Sequence, residues 1–329
     1  MPRAKDVIVG VDLGGTSLRA LVVNGQNEIL ALEKNPTNPL QPPAGLMDDI
    51  ARIVGEAARA AGLKTRDLRA VSVGAPGSTD PSRGLVHHAP NLGWKDVPLG
   101  PELKARLHLP VMVDNDVHVG AVGEHALGAG QGARDMVAIF VGTGIGGAII
   151  SKGRLFEGSA GGAGEIGHTV MMVNGPLCGC GKRGCVEALA SRTAMERDVR
   201  AAIKAGHKSV VLKLMREANK DRMTSSVIVR ALKKNDKVVR KVVKRAEYYL
   251  GILAANVVNL LDPERVVIGG GIAERMGEEF IAPIRAAAFD YFLRHTDYRR
   301  VRIVGGRLGD NAGALGAVVL ARQRLAKSS

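Results

Sequence analysis

The sequence predicts an α/β protein made of two lobes. Its 329 residues are more than one hydrophobic core usually holds. Short apolar runs, typical of buried strands, alternate with segments of helical spacing. A strand, a glycine- and threonine-containing turn and a second strand occur at 7–23 and again at 136–150. Because one copy lies in each half of the chain, we expect two related lobes that close over one phosphate chain.

The composition narrows the class of protein. Apolar residues make up 46% of the chain and aromatic residues only 3%, so the cores must be aliphatic. The N-terminus, Met-Pro-Arg-Ala-Lys-Asp, leads directly into a predicted strand, and no run of about 18 apolar residues occurs. We therefore expect a soluble, cytoplasmic protein without a membrane-spanning segment.

The first turn has the chemistry of a phosphate site. The strand at 7–11 ends in Asp12-Leu13-Gly14-Gly15-Thr16, and a second strand follows at 18–23. A strand after the glycines predicts a hairpin and excludes the Rossmann and Walker motifs, which both need a helix there. Glycine lets backbone N–H groups approach a phosphate, Thr16 adds a hydroxyl, and Asp12 could hold Mg²⁺ through water. A plain hairpin turn is the alternative.

The next elements bring polar residues to the ends of strands. A helix is predicted at 47–61 and a strand at 68–73, which runs into the turn-rich loop 74–79. Open α/β sheets place ligands at the carboxyl ends of their strands. Gly77 and Asn91 are therefore candidate substrate contacts, and a plain surface loop explains them equally well.

Three short polar side chains, Asp114, Asn115 and Asp116, separate a strand at 111–113 from a helix at 117–127. Such residues favour the N-cap of a helix. Only one cap is needed, so a surplus carboxylate would remain at the edge of the sheet, where it could accept a proton from a bound hydroxyl.

The second turn repeats the first in the other half of the chain. The strand at 136–141 ends in Gly-Thr-Gly-Ile-Gly-Gly at 142–147, and a strand follows at 148–150. Further on, we predict an apolar helix at 249–261 and a strand at 265–268 that ends in three glycines, 269–271, where a purine or ribose could lie against bare backbone. A strand at 301–304 and a helix of small residues complete the chain.

All three cysteines, Cys178, Cys180 and Cys185, lie within eight residues, and His168 precedes them. Thiolate and imidazole ligands at this spacing predict a structural zinc site with four protein ligands. Buried thiols or one disulfide are the alternatives, although Cys178 and Cys180 are too close in sequence for an unstrained bridge. Two carboxylates near these ligands, Glu165 and Glu187, are not needed by such a site, and we interpret them as functional.

The net charge of +14 arises mostly from 192–245, which contains 17 Lys and Arg against 5 Asp and Glu. Valines at helical spacing separate these charges, which favours solvated helix faces. A polyanion surface is the alternative, but the segment has no Phe, Trp or Tyr for stacking on nucleic acid bases, and Tyr248 and Tyr249 come only after it.

Together these motifs resemble the ROK family of sugar kinases and repressors, within the hexokinase, actin and heat-shock ATPase fold. The resemblance covers essentially the whole chain. Its most specific parts are Gly164-Glu-Ile-Gly-His168 and the cysteine loop that ends in Cys185-Val-Glu187. It implies an actin-like fold with the active site in the cleft between a small lobe, 1–116 plus 312–329, and a large lobe, 117–311.

The resemblance also implies roles for residues. Asp116 would be the catalytic base, and Asn115, Glu165, His168 and Glu187 would bind the sugar beside Asp116; Gly77 and Asn91 remain the candidate substrate contacts named above. The first two glycine turns, with Asp12, Gly14, Gly15, Thr16, Thr143 and Gly144, would bind the phosphates of ATP, and Gly270 and Gly271 remain candidate contacts of the purine or ribose. Zn²⁺ would be bound by His168, Cys178, Cys180 and Cys185, as in bacterial glucokinases and in N-acetylmannosamine and N-acetylglucosamine kinases. One departure is Val117-His118, where many relatives have Ala-Asn after the catalytic Asp.

The implied activity is ATP-dependent phosphorylation of a hexose at the 6-hydroxyl, with Mg²⁺, and glucose is the expected sugar. N-acetylmannosamine or N-acetylglucosamine kinase is the alternative, followed by a polyphosphate-using enzyme. A repressor would need a DNA-binding domain before Asp12, and a zinc-stapled binding module would show no sugar-dependent ADP release. Relatives imply a homo-oligomer, a dimer or tetramer, with no nucleic acid or membrane partner.

Overall fold

The computed structural model describes residues 6–293 and 300–327. Its strands are β1 (Ile8–Leu13), β2 (Ser17–Val23), β3 (Ile29–Pro36), β4 (Ala70–Ala75), β5 (Ser78–Asp80), β6 (Leu85–Ala89), β7 (Trp94–Val97), β8 (Val111–Asn115), β9 (Met136–Val141), β10 (Ile145–Ser151), β11 (Arg154–Leu155), β12 (Arg265–Gly269) and β13 (Arg302–Gly305). Its helices are α1 (Pro43–Ala60), α2 (Leu99–Leu107), α3 (Asp116–Leu127), α4 (Glu187–Ala190), α5 (Arg192–Lys204), α6 (Val211–Glu217), α7 (Ser225–Lys233), α8 (Lys237–Leu261), α9 (Gly271–Met276), α10 (Glu278–Tyr291) and α11 (Ala312–Lys327).

The chain forms two compact units. Unit 1 comprises Met1–Gly128, Glu157–Gly162 and Asn311–Ser329, and unit 2 comprises Ala129–Phe156 and Ala163–Asp310. The α/β class is confirmed, and the lobe boundaries at 116/117 and 311/312 stay a prediction. Residues 1–5 and 328–329 of the predicted small lobe lie outside the described residues.

Unit 1 is built on a five-stranded sheet with the order β3-β2-β1-β4-β8. The three strands β1, β4 and β8 run parallel, and β2 and β3 extend the sheet antiparallel. Val9 and Val11 of β1 share a buried cluster with Ile50 and Ile53 of α1. Gly10 faces the other way, because a Cβ there would overlap Ala314 of α11. Helices therefore cover both faces of this sheet.

Unit 2 has a sheet with the order β11-β10-β9-β12-β13, in which β9, β12 and β13 are parallel and β10 is antiparallel to β9. Its aliphatic core includes residues from α5, α7, α8 and α10. The long helix α8 packs closely on α10, because a Cβ at Gly251 would lie 2.8 Å from the carbonyl oxygen of Ile284. None of the described helices is long and apolar enough to cross a lipid bilayer.

Three local predictions need correction. The apolar helix predicted at 249–261 is only the second half of α8, which begins at Lys237 because the side chain of Asp236 caps the N–H groups of Val238 and Val239. The loop predicted at 74–79 is partly ordered as the end of β4 and as β5, which pairs with β6 in a small three-stranded sheet. Strand β10 begins at Ile145, so the second glycine turn is shorter than predicted.

Candidate functional site

The first glycine turn lies in unit 1, where β1 and β2 form the predicted hairpin. The N–H of Gly14 donates to the carbonyl of Ser17 at 3.0 Å, which closes the turn. Asp12 stands half-buried beside the start of α11: a Cβ at Gly313 would lie 2.9 Å from its carboxyl carbon. Asn91 lies next to the turn, because a Cβ at Gly15 would be 3.6 Å from the Cβ of Asn91.

The side chains of Asp114, Asn115 and Asp116 have three different environments. Asp114 is 1% exposed and forms two hydrogen bonds of 2.7 Å with the guanidinium of Arg324. Asn115 caps α3 by accepting from the N–H groups of Val117 and His118. Asp116, the first residue of α3, is half-buried and accepts from the N–H of Val117 at 2.9 Å. Of the two carboxylates, Asp114 is held in a buried ion pair, whereas Asp116 is only half-buried, in the first turn of α3.

Burial raises the pKa of Asp114 to about 6, although Arg324 acts in the opposite direction. Asn115 also donates from its amide nitrogen to the carbonyl of Gly77 at 2.9 Å. The cap residue and the loop after β4 are therefore fixed to each other within unit 1.

The second glycine turn lies in unit 2, between β9 and β10. Thr143 is exposed at its tip, and the first residues of α5 hold the turn from outside. The hydroxyl of Thr193 donates to the carbonyl of Thr143 at 2.8 Å, and the N–H of Arg192 donates to the carbonyl of Gly142 at 3.1 Å. The side chain of Arg192 also reaches the Thr143 hydroxyl, at 2.5 Å. No local sequence pattern indicates this role of Arg192, because the contact joins residues that are 49 positions apart.

The glycines at 269–271 adjoin the second turn because β12 pairs in parallel with β9 and places Gly269 opposite Phe140. Gly270 has a positive φ of 96°, and a Cβ there would overlap the carbonyl of Val141, the residue before the turn. Gly271 begins α9 and faces Ser225 of α7. The predicted nucleotide contacts Thr143, Gly144, Gly270 and Gly271 therefore belong to one edge of the unit 2 sheet.

The candidate metal ligands converge as the spacing predicts. The ligand atoms of His168, Cys178, Cys180 and Cys185 all lie within 4.8 Å of one another. The Cys178 sulfur is 3.7 Å from Nδ1 of His168, and the sulfurs of Cys180 and Cys185 are 3.7 Å apart. Tetrahedral Zn²⁺ with its usual bond lengths separates such ligands by about 3.5 to 3.8 Å. The four residues therefore fit this ion.

The turns of this loop depend on glycine. Gly184 has a φ of 79°, and a Cβ there would overlap the carbonyl of Met172. Burial raises the pKa of the Cys178 thiol to about 12, while the backbone N–H of Lys182 lowers the pKa of Cys180. A metal ligand must be a thiolate, so zinc binding would release protons here.

The two carboxylates near the thiols differ in their surroundings. Glu187 begins α4, is half-buried, and accepts from the Cys178 thiol with Oε1 at 3.4 Å. Glu165 is exposed, with Oε2 at 4.0 Å from Nε2 of His168. Since Nδ1 of His168 faces the thiols, its Nε2 is directed to the side of Glu165. Within unit 2 the structure thus brings Glu165, His168 and Glu187 together with the cysteines.

The remaining predicted residues lie in unit 1. These are Asp12, Gly14, Gly15, Thr16, Gly77, Asn91, Asn115 and Asp116. Sequence reasoning missed the pairing of Asp114 with Arg324, since 210 residues separate the two.

Nearly the whole chain is similar in sequence to known proteins of one family. The profile of the ROK family matches residues 8–324. A glucokinase of Halalkalibacterium halodurans is 37% identical over 318 residues, 96% of this chain and 95% of that protein. A glucokinase of Thermotoga maritima is 35% identical over 326 residues, 99% of both chains.

Solved structures of ROK family proteins are also similar to this chain. The crystal structure of a ROK family glucokinase from Streptomyces griseus in complex with glucose and AMPPNP has a TM-score of 0.84 and 34% sequence identity. The similarity covers 96% of this chain and 99% of that one.

Proposed function

This chain belongs to the ROK family, and we propose that it is a sugar kinase that transfers the γ-phosphoryl group of ATP to the 6-hydroxyl of glucose. The observation that carries the mechanism is the division of roles among Asp114, Asn115 and Asp116. Asp114 is held in a buried ion pair and Asn115 caps α3, whereas Asp116 is only half-buried in the first turn of that helix, which supports Asp116 as the group that takes the proton. The glucokinase relatives, and the glucose and AMPPNP bound to the Streptomyces griseus protein, support glucose and ATP as substrates.

Asp116 takes the proton of the 6-hydroxyl as this oxygen attacks the γ-phosphorus. In such transfers, positioning and electrostatic stabilisation supply most of the acceleration, so a carboxylate of ordinary basicity suffices. Asn115 and Gly77 orient the sugar from unit 1, and Asn91 contacts it from the loop beside the first glycine turn.

In unit 2, Glu165 and Glu187 accept hydrogen bonds from sugar hydroxyls, and His168 forms a hydrogen bond with another. His168 uses Nε2 for this contact, because Nδ1 faces the thiols. Zn²⁺ bound by His168, Cys178, Cys180 and Cys185 would fix the loop and the orientation of the imidazole. With four protein ligands such an ion has no open position for water, so its role is structural.

The glycine turns bind the phosphates with backbone N–H groups, helped by the hydroxyls of Thr16 and Thr143. Mg²⁺ bound to ATP would be held through Asp12 and would neutralise phosphate charge. Gly270 and Gly271 leave room for the nucleoside beside the second turn. Cysteines that bind zinc must be in the reduced form, and thiols stay reduced in the cytoplasm, which supports a cytoplasmic location.

A coupled assay of ADP release tests this function. The purified protein is given ATP with glucose, mannose, N-acetylglucosamine or N-acetylmannosamine, and then glucose with polyphosphate in place of ATP. We expect the highest kcat/KM with glucose and ATP, and glucose 6-phosphate as the product. A higher kcat/KM with an N-acetylated sugar would change the substrate, and ADP release that does not depend on any sugar would contradict the function.

A further inference from the structure

Helix α5 holds the second glycine turn by hydrogen bonds to the carbonyl groups of the turn, not to the N–H groups of the turn. The N–H of Arg192 and the hydroxyl of Thr193 bind the carbonyls of Gly142 and Thr143. The acceptors of the turn are therefore satisfied by the protein. This arrangement fixes the turn while leaving the donors of its tip to a ligand.

The Arg192 guanidinium is half-buried at this turn. The acidic group that acts on it is Glu196, but the two oxygens of Glu196 are taken by Arg200 at 2.8 Å and Arg222 at 3.0 Å. Burial and the charge of Arg222 accordingly lower the pKa of Arg192. Arginine nevertheless stays protonated in proteins, so a positive charge remains at the turn, and within 6–293 and 300–327 no carboxylate forms an ion pair with it.

The contact between Arg192 and Thr143 also orients the hydroxyl of Thr143, which is a second hydrogen-bond donor at the turn. One guanidinium N–H donates to the Thr143 oxygen at 2.5 Å. A threonine hydroxyl has one proton, and an N–H bond to its oxygen leaves that proton available for another acceptor. Thr143 and Arg192 thus present a hydroxyl and the remaining guanidinium N–H groups on the same side of the turn. An oxyanion is the ligand that accepts from both.

We propose that Arg192 is a phosphate-binding residue that contacts the nucleotide's phosphate chain together with Thr143. This inference rests on the proposed function, which places that chain on the second turn. The planar guanidinium suits phosphate geometry, and its link to Thr143 fixes both donors before the nucleotide arrives.

The test measures nucleotide binding by isothermal titration calorimetry without sugar, so it does not depend on turnover. Arg192→Gln should weaken ATP binding in the presence of Mg²⁺ by roughly tenfold or more, the effect of losing a charge-assisted hydrogen bond. Adenosine, measured by competition with ATP, should bind within about twofold of the wild type. Arg197→Gln is the matched control: it makes the same change on the same helix, at an arginine paired with Asp198.

Two results would overturn the inference. ATP affinity close to that of the wild type would exclude a phosphate contact. An equal loss for ATP and adenosine would indicate that Arg192 only maintains the turn. If the wild type binds ATP as expected but phosphorylates no sugar, the proposed function fails while this inference still stands.

A measurement on the wild type covers the case in which Arg192→Gln does not fold. Phenylglyoxal modifies accessible arginine, and mass spectrometry reports the fraction modified at Arg192. MgATP should protect Arg192 and adenosine should not. Equal modification with and without MgATP would contradict the contact.

Discussion

Oε2 of Glu187 accepts a hydrogen bond from the backbone N–H of Ile145 at 3.0 Å. Ile145 is the first residue of β10, directly after the second glycine turn. The other oxygen of Glu187 accepts from the Cys178 thiol. When Cys178 carries its proton, one side chain therefore joins the cysteine loop to the turn proposed to bind phosphate. As a zinc-bound thiolate Cys178 has no proton to donate, and the contact of Glu187 with Ile145 is the one that remains.

A substitution at Gly144, which lies against Glu187, tests this link. A Cβ at Gly144 would overlap Oε2 of Glu187, whereas a Cβ at Gly142 would meet nothing within 4 Å. Gly144→Ala should therefore displace Glu187 and weaken glucose binding, measured calorimetrically without nucleotide, by about tenfold, the effect of one lost hydrogen bond. Gly142→Ala should leave glucose affinity unchanged. If Gly144→Ala and Gly142→Ala both bind glucose as tightly as the wild type, Glu187 does not bind the sugar.

Removal of one thiol should affect both the metal and the sugar. Cys180→Ala should reduce zinc, measured by mass spectrometry, from about one ion per chain to a small fraction. Glucose affinity should fall by about 10- to 100-fold, because the loop that orients His168 and Glu187 loses its cross-link. Lys182→Ala in the same loop is the control and should keep both. Loss of zinc with an unchanged KM for glucose would break the proposed connection.

The Asp114–Arg324 pair predicts a pH-dependent stability effect. Arg324→Met leaves a carboxylate that is 1% exposed without its cation. The folded pKa of Asp114, already raised to about 6, should rise further. A carboxyl whose pKa is raised in the folded state contributes stability that is present below its unfolded pKa and is lost as the pH rises through its folded pKa. Arg324→Met should therefore be destabilised more at pH 8 than at pH 5.

At pH 8 we expect Arg324→Met to lower the free energy of unfolding by about 2 to 4 kcal/mol. This is at or below the usual cost of breaking a buried ion pair, because Arg324 is partly exposed. Urea unfolding at the two pH values measures it. Arg230→Met, which removes an exposed pair with Glu217, should cost about 0.5 kcal/mol at either pH. A loss for Arg324→Met that is equal at pH 5 and pH 8 would rule out Asp114 as its source.

Much of the fold follows from local sequence patterns. The hairpin at the first turn was predicted because apolar runs flank Asp12-Leu13-Gly14-Gly15-Thr16 on both sides, and β1 and β2 confirm it. The convergence of His168, Cys178, Cys180 and Cys185 was predicted because they lie close in sequence, so a short loop brings them together without help from distant elements.

Features that depend on distant contacts could not be predicted in this way. Local pattern alone does not distinguish Asp114 from Asp116; the family resemblance implied Asp116 as the base, and the buried pairing of Asp114 with Arg324 on α11 could not be read from the sequence. Likewise, Arg192 looked like one more charge in a basic stretch, whereas its contact with Thr143 requires α5 to begin beside the turn.

The role of Asp116 is the centre of this account, and the kcat of Asp116→Asn in the glucose- and ATP-dependent ADP assay tests it most directly. General-base catalysis typically contributes 10²- to 10⁴-fold, so kcat should fall by about that factor. The amide keeps the size of the side chain, so the Kd for glucose should change by only about twofold. A variant that keeps most of its kcat would show that Asp116 is not the base.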